Sequence, residues 1–169
     1  MGPNVSRYLR ITLESRGVSA VARLLDDEAP RTADAVWKAL PQGGHVYHGK
    51  FARNEIYTLV PAFAATEPGP ENTTVTPIPG DLCYFTFDGT LENTAYGYES
   101  DSAARENKLL IDLAVFYGRN NLLVNGDVGW VPGNVFATIE EGLGEFAAAC
   151  NDVWMGGARG ETLTYQRVE

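Results

Sequence analysis

The stretch from Val18 to Tyr57 restricts the fold more than any other part of the chain. It reads as a strand, an acidic turn, a short helix opened by Pro30, and two further strands. The helix carries an apolar stripe at the spacing of a helix with one buried face, formed by Ala33, Val36, Trp37 and Leu40. This pattern predicts that Trp37 is buried between the helix and the open end of a β-barrel.

Composition limits the possible partners. A chain of 169 residues with 44% hydrophobic and 21% charged residues predicts a single globular domain over residues 1–169. A net charge of −9 without a basic patch argues against nucleic acid and against an anionic membrane surface. No segment approaches the roughly 20 apolar residues of a membrane span, and none resembles a signal peptide. Cys83 and Cys150 lie in separate apolar segments, which indicates buried free thiols and a cytoplasmic location.

The predicted elements run from strands to helices and back. Strands are expected at Arg7 to Glu14, Val18 to Leu25, His45 to Phe51, Asn54 to Leu59, Thr73 to Thr76, Leu82 to Phe87, Leu109 to Tyr117 and Glu161 to Val168. A hairpin is expected around Asn125-Gly126-Asp127, and a long helix from Asn134 to Trp154. The polar stretch from Asp88 to Lys108, which contains Tyr96 and Tyr98, predicts a long loop. This order predicts a mainly β fold, closed into a barrel with helices over its ends.

Short motifs add a resemblance to a known fold. Ala29-Pro30-Arg31-Thr32 resembles the opening of the first cyclophilin helix, and Gly80-Asp81-Leu82 resembles the start of a central cyclophilin strand. The resemblance implies a closed eight-stranded barrel with one helix after the second strand and one before the last. Asn54-Glu55-Ile56-Tyr57 followed by Pro79-Gly80-Asp81 is similar to uncharacterised bacterial proteins of the cyclophilin-like superfamily, a family of domains of unknown function.

The resemblance to cyclophilins does not extend to the isomerase site. Phe51-Ala52-Arg53 matches their Phe-x-Arg motif, but their glutamine-phenylalanine-phenylalanine strand is missing. Asp112 lies about where the glutamine would be. Prolyl isomerase activity, with Arg53 polarising the prolyl carbonyl, is therefore one enzymatic alternative rather than the main expectation.

Alternation along the strands predicts a candidate site. Apolar alternation places Cys83, Phe85 and Phe87 in the core, and the opposite strand faces would then form an aromatic groove with a few polar groups. The residues expected on that groove are Arg53, Glu55, Tyr57, Tyr84, Asp112 and Phe116. The alternative is an exposed sheet face on which Arg53 forms cross-strand ion pairs with Glu55 or Asp112.

No motif indicates a metal or a cofactor. His45 and His48 fall on opposite faces of a strand, and no further ligand lies at chelating spacing. The chain has no nucleophile elbow, phosphate loop or dinucleotide fingerprint.

Three functional interpretations remain open. The leading one is a small organic ligand, such as an acidic metabolite attracted by Arg53. The second is an enzyme that uses Glu55 or Asp112 as acid or base. The third is an interaction module, in which the apolar hairpin from Leu122 to Val131 joins two copies of the chain into a homodimer.

Overall fold

A computed structural model of the chain describes residues 5–88, 98 and 101–169. These residues form a mainly β structure with three α-helices. The strands are β1 (Tyr8–Leu13), β2 (Val18–Leu24), β3 (Gln42–His45), β4 (Tyr47–His48), β5 (Glu55–Pro61), β6 (Thr73–Thr74), β7 (Asp81–Asp88), β8 (Leu109–Phe116), β9 (Val124–Asn125), β10 (Gly129–Trp130), β11 (Gly133–Glu141) and β12 (Thr162–Arg167). The helices are α1 (Pro30–Ala39), α2 (Ser102–Glu106) and α3 (Leu143–Gly156).

One large antiparallel sheet dominates the fold. Its strand order is β3-β12-β1-β2-β11-β7-β8-β5-β4, with β6 paired to β11, while β9 and β10 form a separate hairpin. The expected closed eight-stranded barrel is wrong in this respect, because no hydrogen-bonded ladder joins β3 to β4 in the described chain. The chain changes partner at Val46: β3 pairs with β12 and β4 pairs with β5. The covalent chain therefore connects the two ends of the sheet, in an arrangement consistent with a cyclophilin-like fold.

Both faces of the sheet are covered. The inner cluster fills the curve of the sheet beneath α1 and α3, and its largest members include Leu9, Ile11, Phe136, Phe146 and Tyr165. The outer cluster lies on the opposite face of the central strands and consists of Ala52, Tyr57, Leu59, Cys83, Phe85, Leu110, Ala114, Phe116, Leu123 and Val135. Strands β5, β7 and β8 therefore contribute buried side chains to two layers.

Helix α1 begins where the sequence predicts, with Pro30 in its first turn. The Glu71 carboxylate caps it, accepting hydrogen bonds from the backbone N–H of Arg31 and from both the N–H and the hydroxyl of Thr32. Trp37 is only half-buried rather than enclosed, which corrects the expectation for this residue.

The predicted long helix is wrong over its first third. Residues Gly133–Glu141 form strand β11, and α3 begins only at Leu143. Strand β11 is buried on both faces for most of its length, so its apolar run resembles a helix in the sequence. Gly142 separates the two elements with a φ of 81°, and a Cβ there would lie 2.8 Å from the Ser19 carbonyl oxygen.

Two further expectations have clear outcomes. Cys83 and Cys150 are free and buried, as predicted. Part of the predicted loop from Asp88 to Lys108 lies outside the described residues, including Tyr96, and its described end contains the unpredicted helix α2, capped by Asp101. None of the described helices has the length and apolarity needed to span a membrane.

Candidate functional site

A cavity of about 560 Å³ opens on the outer face of β5, β7 and β8. The same face carries the outer cluster, so the floor of the cavity is a buried sheet surface rather than a loop. Side chains from the turn before β5, from the segment before β6 and from the β9–β10 hairpin complete its walls. The lining residues that matter for its chemistry are Lys50, Glu55, Tyr57, Glu67, Phe85, Asp88, Tyr98, Asp112, Val128 and Trp130.

The pairing of β5, β7 and β8 places the carboxyl groups of Glu55 and Asp112 on this floor. Asp112 on β8 lies between Leu59 on β5 and Phe85 on β7. Two residues further along β8, Ala114 lies opposite Tyr57. Ala114 is fully buried in the outer cluster, whereas Tyr57 and Asp112 both line the cavity.

Asp112 is the most unusual group in the cavity. Its exposed fraction is 4%, and its Oδ1 atom has no hydrogen-bond partner among the described residues. Burial, with a further contribution from the charge of Glu55, raises the pKa of Asp112 well above its ordinary value. An unpaired buried carboxylate is destabilising, so its presence here requires an explanation beyond folding.

Glu55 is the second buried acid, with an exposed fraction of 7%. Its side chain shares the outer face with Tyr57, one strand away from Asp112. Burial raises the pKa of Glu55 from 4.5 to about 8. At neutral pH Glu55 therefore largely keeps a proton that an exposed glutamic acid would have lost.

Three tyrosines form an aromatic wall, of which Tyr57 and Tyr98 line the cavity and Tyr47 packs against both. The rings of Tyr47 and Tyr57 lie 5.5 Å apart, and the ring of Tyr98 meets Tyr47 edge to face at 4.9 Å. The hydroxyls of Tyr57 and Tyr98 are hydrogen-bonded to each other, while the Tyr47 hydroxyl donates to Asp101 at 2.5 Å. This wall offers flat apolar faces together with fixed polar tips.

The β9–β10 hairpin forms the opposite rim. Leu123 is buried in the outer cluster, whereas Val128 and Trp130 are 54% and 63% exposed and line the cavity. Lys50 is exposed at the rim and is the one lining residue in the described chain with a positive charge.

The structure brings together some of the residues that were predicted to form the groove. Glu55, Tyr57 and Asp112 line one cavity, and Phe116 is buried in the outer cluster beneath it. Arg53 does not join them, because it is exposed on the turn before β5 and is not a lining residue.

The alternation along β7 predicts Tyr84 on the outer face, but its ring lies on the inner face. Its ring packs in the inner cluster, 6.0 Å from the ring of Phe63, and its hydroxyl donates to Glu67 at 2.6 Å. Tyr84 lines the cavity only at the end where Glu67 lies. The outer face of β7 instead presents Cys83 and Phe85, which were expected in the inner core.

Sequence reasoning missed Phe85, Tyr98 and Trp130 as lining residues. Tyr98 could have been found in the sequence, because it is an aromatic residue in a polar loop. No signal distinguished the two faces of β7, since both are apolar.

Neither histidine offers a metal site. His45 is exposed on β3, and His48 on β4 shares a 2.5 Å hydrogen bond between its Nε2 and the Tyr117 hydroxyl. Within residues 5–88, 98 and 101–169, no group of three His, Cys, Asp or Glu side chains is arranged to hold a metal ion.

Similarity to solved structures is at the level of the fold. The structure of McbB in complex with tryptophan matches 94% of this chain with a TM-score of 0.58 and 18% identity, and this chain spans 44% of that one. The solution structure of the hypothetical protein AF2241 from Archaeoglobus fulgidus matches 99% of this chain and 100% of its own, with a TM-score of 0.53 and 23% identity. The Mimivirus cyclophilin gives a TM-score of 0.49 and 10% identity, covering 99% of this chain and 90% of its own.

Sequence similarity identifies the family. No curated protein matches the chain significantly. Residues 11–165 match the family described as "Protein of unknown function (DUF3830)". Since this match covers most of the chain, the protein belongs to the DUF3830 family.

Proposed function

We propose that this protein binds a small organic molecule in the outer-face cavity. The observation that supports the proposal best is Asp112, a lining residue whose buried Oδ1 atom has no hydrogen-bond partner among the described residues. A buried polar group of this kind is destabilising in the empty protein, and a bound donor would satisfy it.

The size and lining of the cavity support the same function. Its volume of about 560 Å³ falls within the range of roughly 300–1,000 Å³ that is usual for small-molecule sites. Its lining combines the aromatic residues Tyr57, Phe85, Tyr98 and Trp130 with the two buried acids.

The alternative of an exposed face with cross-strand ion pairs has less support. Glu55 and Asp112 are buried, and no ion pair joins either of them to Arg53 in the described chain. The acids therefore lack the structural partner that this interpretation requires.

The proposal is tested first on the purified protein. Native mass spectrometry should detect a co-purified small molecule, or a fragment screen by ligand-observed NMR should give hits. Tryptophan, the ligand named in the McbB structure, is a suitable member of that screen. The hits should be lost in Val131→Trp, which fills the cavity rim, and kept in Ile78→Trp, which adds the same ring at an exposed position outside the lining.

Two results would contradict the proposal. One is the absence of both a co-purified molecule and any fragment hit. The other is a set of hits that Val131→Trp leaves unchanged while the variant remains folded.

A second candidate function is acid–base catalysis in the same cavity. The raised pKa of Glu55, about 8, suits a group that exchanges protons near neutral pH. If the bound molecule is converted, Glu55→Gln should lose turnover even at a ligand concentration that saturates the site. Equal turnover in the two proteins would exclude this role for Glu55.

A further inference from the structure

We propose that the cavity selects a protonated amine carried on a flat apolar group, with Asp112 Oδ1 accepting a hydrogen bond from the ammonium. This inference rests on the proposed ligand-binding function and names the chemical class of the ligand.

The charge of the lining favours a cation. Four lining residues of the described chain carry carboxyl groups, Glu55, Glu67, Asp88 and Asp112, and they face the single lysine Lys50. Arg53, which would attract an acidic metabolite, is not a lining residue. An anionic ligand would add a negative charge beside four acids, which would make their ionisation in a buried position still less favourable.

Unsatisfied acceptors show where a donor is missing. Asp112 Oδ1 and Glu67 Oε1 are both buried without a hydrogen-bond partner among the described residues. The other oxygen of Glu67 accepts from Tyr84. The cavity therefore has spare acceptors, and an ammonium group is a donor with no acceptor of its own.

A positive donor also suits Asp112 better than a neutral one. An alcohol or amide could satisfy Oδ1, but neither would compensate for the negative charge that Asp112 or Glu55 gains when it loses its proton in a buried position. An ammonium group would form a charge-assisted hydrogen bond and favour the ionised form of these acids.

The aromatic walls define the rest of the ligand. The faces of Tyr57, Phe85, Tyr98 and Trp130 line the space beside the acids. Such surfaces pack against flat apolar groups and attract cations through their ring electrons. An inorganic cation fits less well, because no three His, Cys, Asp or Glu side chains among the described residues are arranged to hold a metal ion.

Three probes that carry the same phenyl ring and differ in charge test the preference for a cation. They are 2-phenylethylamine, 2-phenylethanol and 3-phenylpropionate, and each is titrated by calorimetry or by ligand-observed NMR. We expect the amine to bind at least about tenfold more tightly than the alcohol, as one charge-assisted hydrogen bond in a buried site would give. The carboxylate should bind more weakly than either.

Substitutions then test which residues cause the preference for the amine. Asp112→Asn should reduce the amine-to-alcohol ratio towards one, and Glu55→Gln should reduce it in the same direction. Asp27→Asn, at an exposed position outside the cavity, removes the same charge and should leave the ratio unchanged. Circular dichroism confirms that each variant is folded, and the wild-type ratio tests the inference even if one variant is not.

The failures of the two proposals are distinguishable. Equal or tighter binding of the alcohol or the carboxylate, abolished by Val131→Trp, would overturn the amine inference and support the cavity as a ligand site. A wild-type preference for the amine that both acid variants retain would overturn the assigned role of the acids. If none of the three probes binds, the amine inference is overturned, while the co-purification experiment and fragment screen still decide the proposed function.

Discussion

Gly49 makes room for the carboxylate of Glu55. A Cβ atom at Gly49 would lie 2.8 Å from Glu55 Oε2 and 2.9 Å from the Ala52 carbonyl oxygen. The backbone N–H of Gly49 also donates to the Glu55 carbonyl at 2.8 Å. The turn before β5 therefore packs directly against the acid, and this contact holds Glu55 on the cavity floor.

Gly49→Ala should consequently destabilise the protein. We expect a loss of about 1–3 kcal/mol in the free energy of unfolding, the usual effect of overpacking a close contact. Urea denaturation measures it. Gly126→Ala is the matched control, because nothing lies within 4 Å of a Cβ there. Equal stability of the two variants would show that the Gly49 turn adjusts freely.

Stability should fall as pH rises from 4.5 to about 8. The folded-state pKa of Glu55 is raised across this interval, so the folded protein retains a proton that the unfolded chain releases. The associated stabilisation is complete below pH 4.5 and is lost as the pH passes through about 8. For Glu55 alone, the shift corresponds to on the order of 5 kcal/mol.

Urea denaturation at the two ends of this pH range provides the measurement. Glu55→Gln should reduce the loss of stability with rising pH. It removes the titrating group itself, and it removes the charge that raises the pKa of Asp112. Glu28→Gln, at an exposed position, is the control and should behave as the wild type. A wild-type stability that rises over the same range would contradict the assignment of Glu55 as a buried acid.

Trp37→Ala should be moderately destabilising. The half-buried ring packs against the inner cluster, and the guanidinium groups of Arg7 and Arg167 lie 5.3 and 4.8 Å from its centroid. We expect a loss of about 2–3 kcal/mol, less than for a fully buried tryptophan. Thermal or urea denaturation measures the loss, with Met155→Ala, at a 75% exposed position, as the control. Equal effects of the two substitutions would show that the Trp37 contacts contribute little.

Self-association through the hairpin remains a prediction. Leu122, Val128 and Trp130 are 49%, 54% and 63% exposed, so the hairpin region presents apolar side chains to solvent. Light scattering should report twice the chain mass, and Leu122→Glu should shift the mass to that of one chain without unfolding. Leu122 is suitable because it is not a lining residue of the cavity, so ligand binding should be unaffected. A monomer at high micromolar concentration would rule out this interface.

The site could be predicted where a strand has one distinctly polar position in a buried row. Glu55 and Asp112 interrupt apolar runs, and their alternation placed both on the correct face. Strand β7 has no such marker, since Leu82 and Tyr84 are as apolar as Cys83 and Phe85, so its two faces were exchanged. The start of α3 was missed for the same reason, because β11 is buried on both sides and alternation gives no sign of a strand.

The change of partner at Val46 leaves β4 as an edge strand, so its backbone should open more easily than that of the interior strand β8. Asp112 lies on β8, which is paired on both sides, whereas Tyr47 lies on β4, a two-residue strand at the edge of the sheet. Amide hydrogens of β4 should therefore exchange with solvent through small local openings, and those of β8 only through much larger ones. We therefore expect the Tyr47 ring to leave its contacts with Tyr57 and Tyr98 more often than Asp112 leaves its place between β5 and β7.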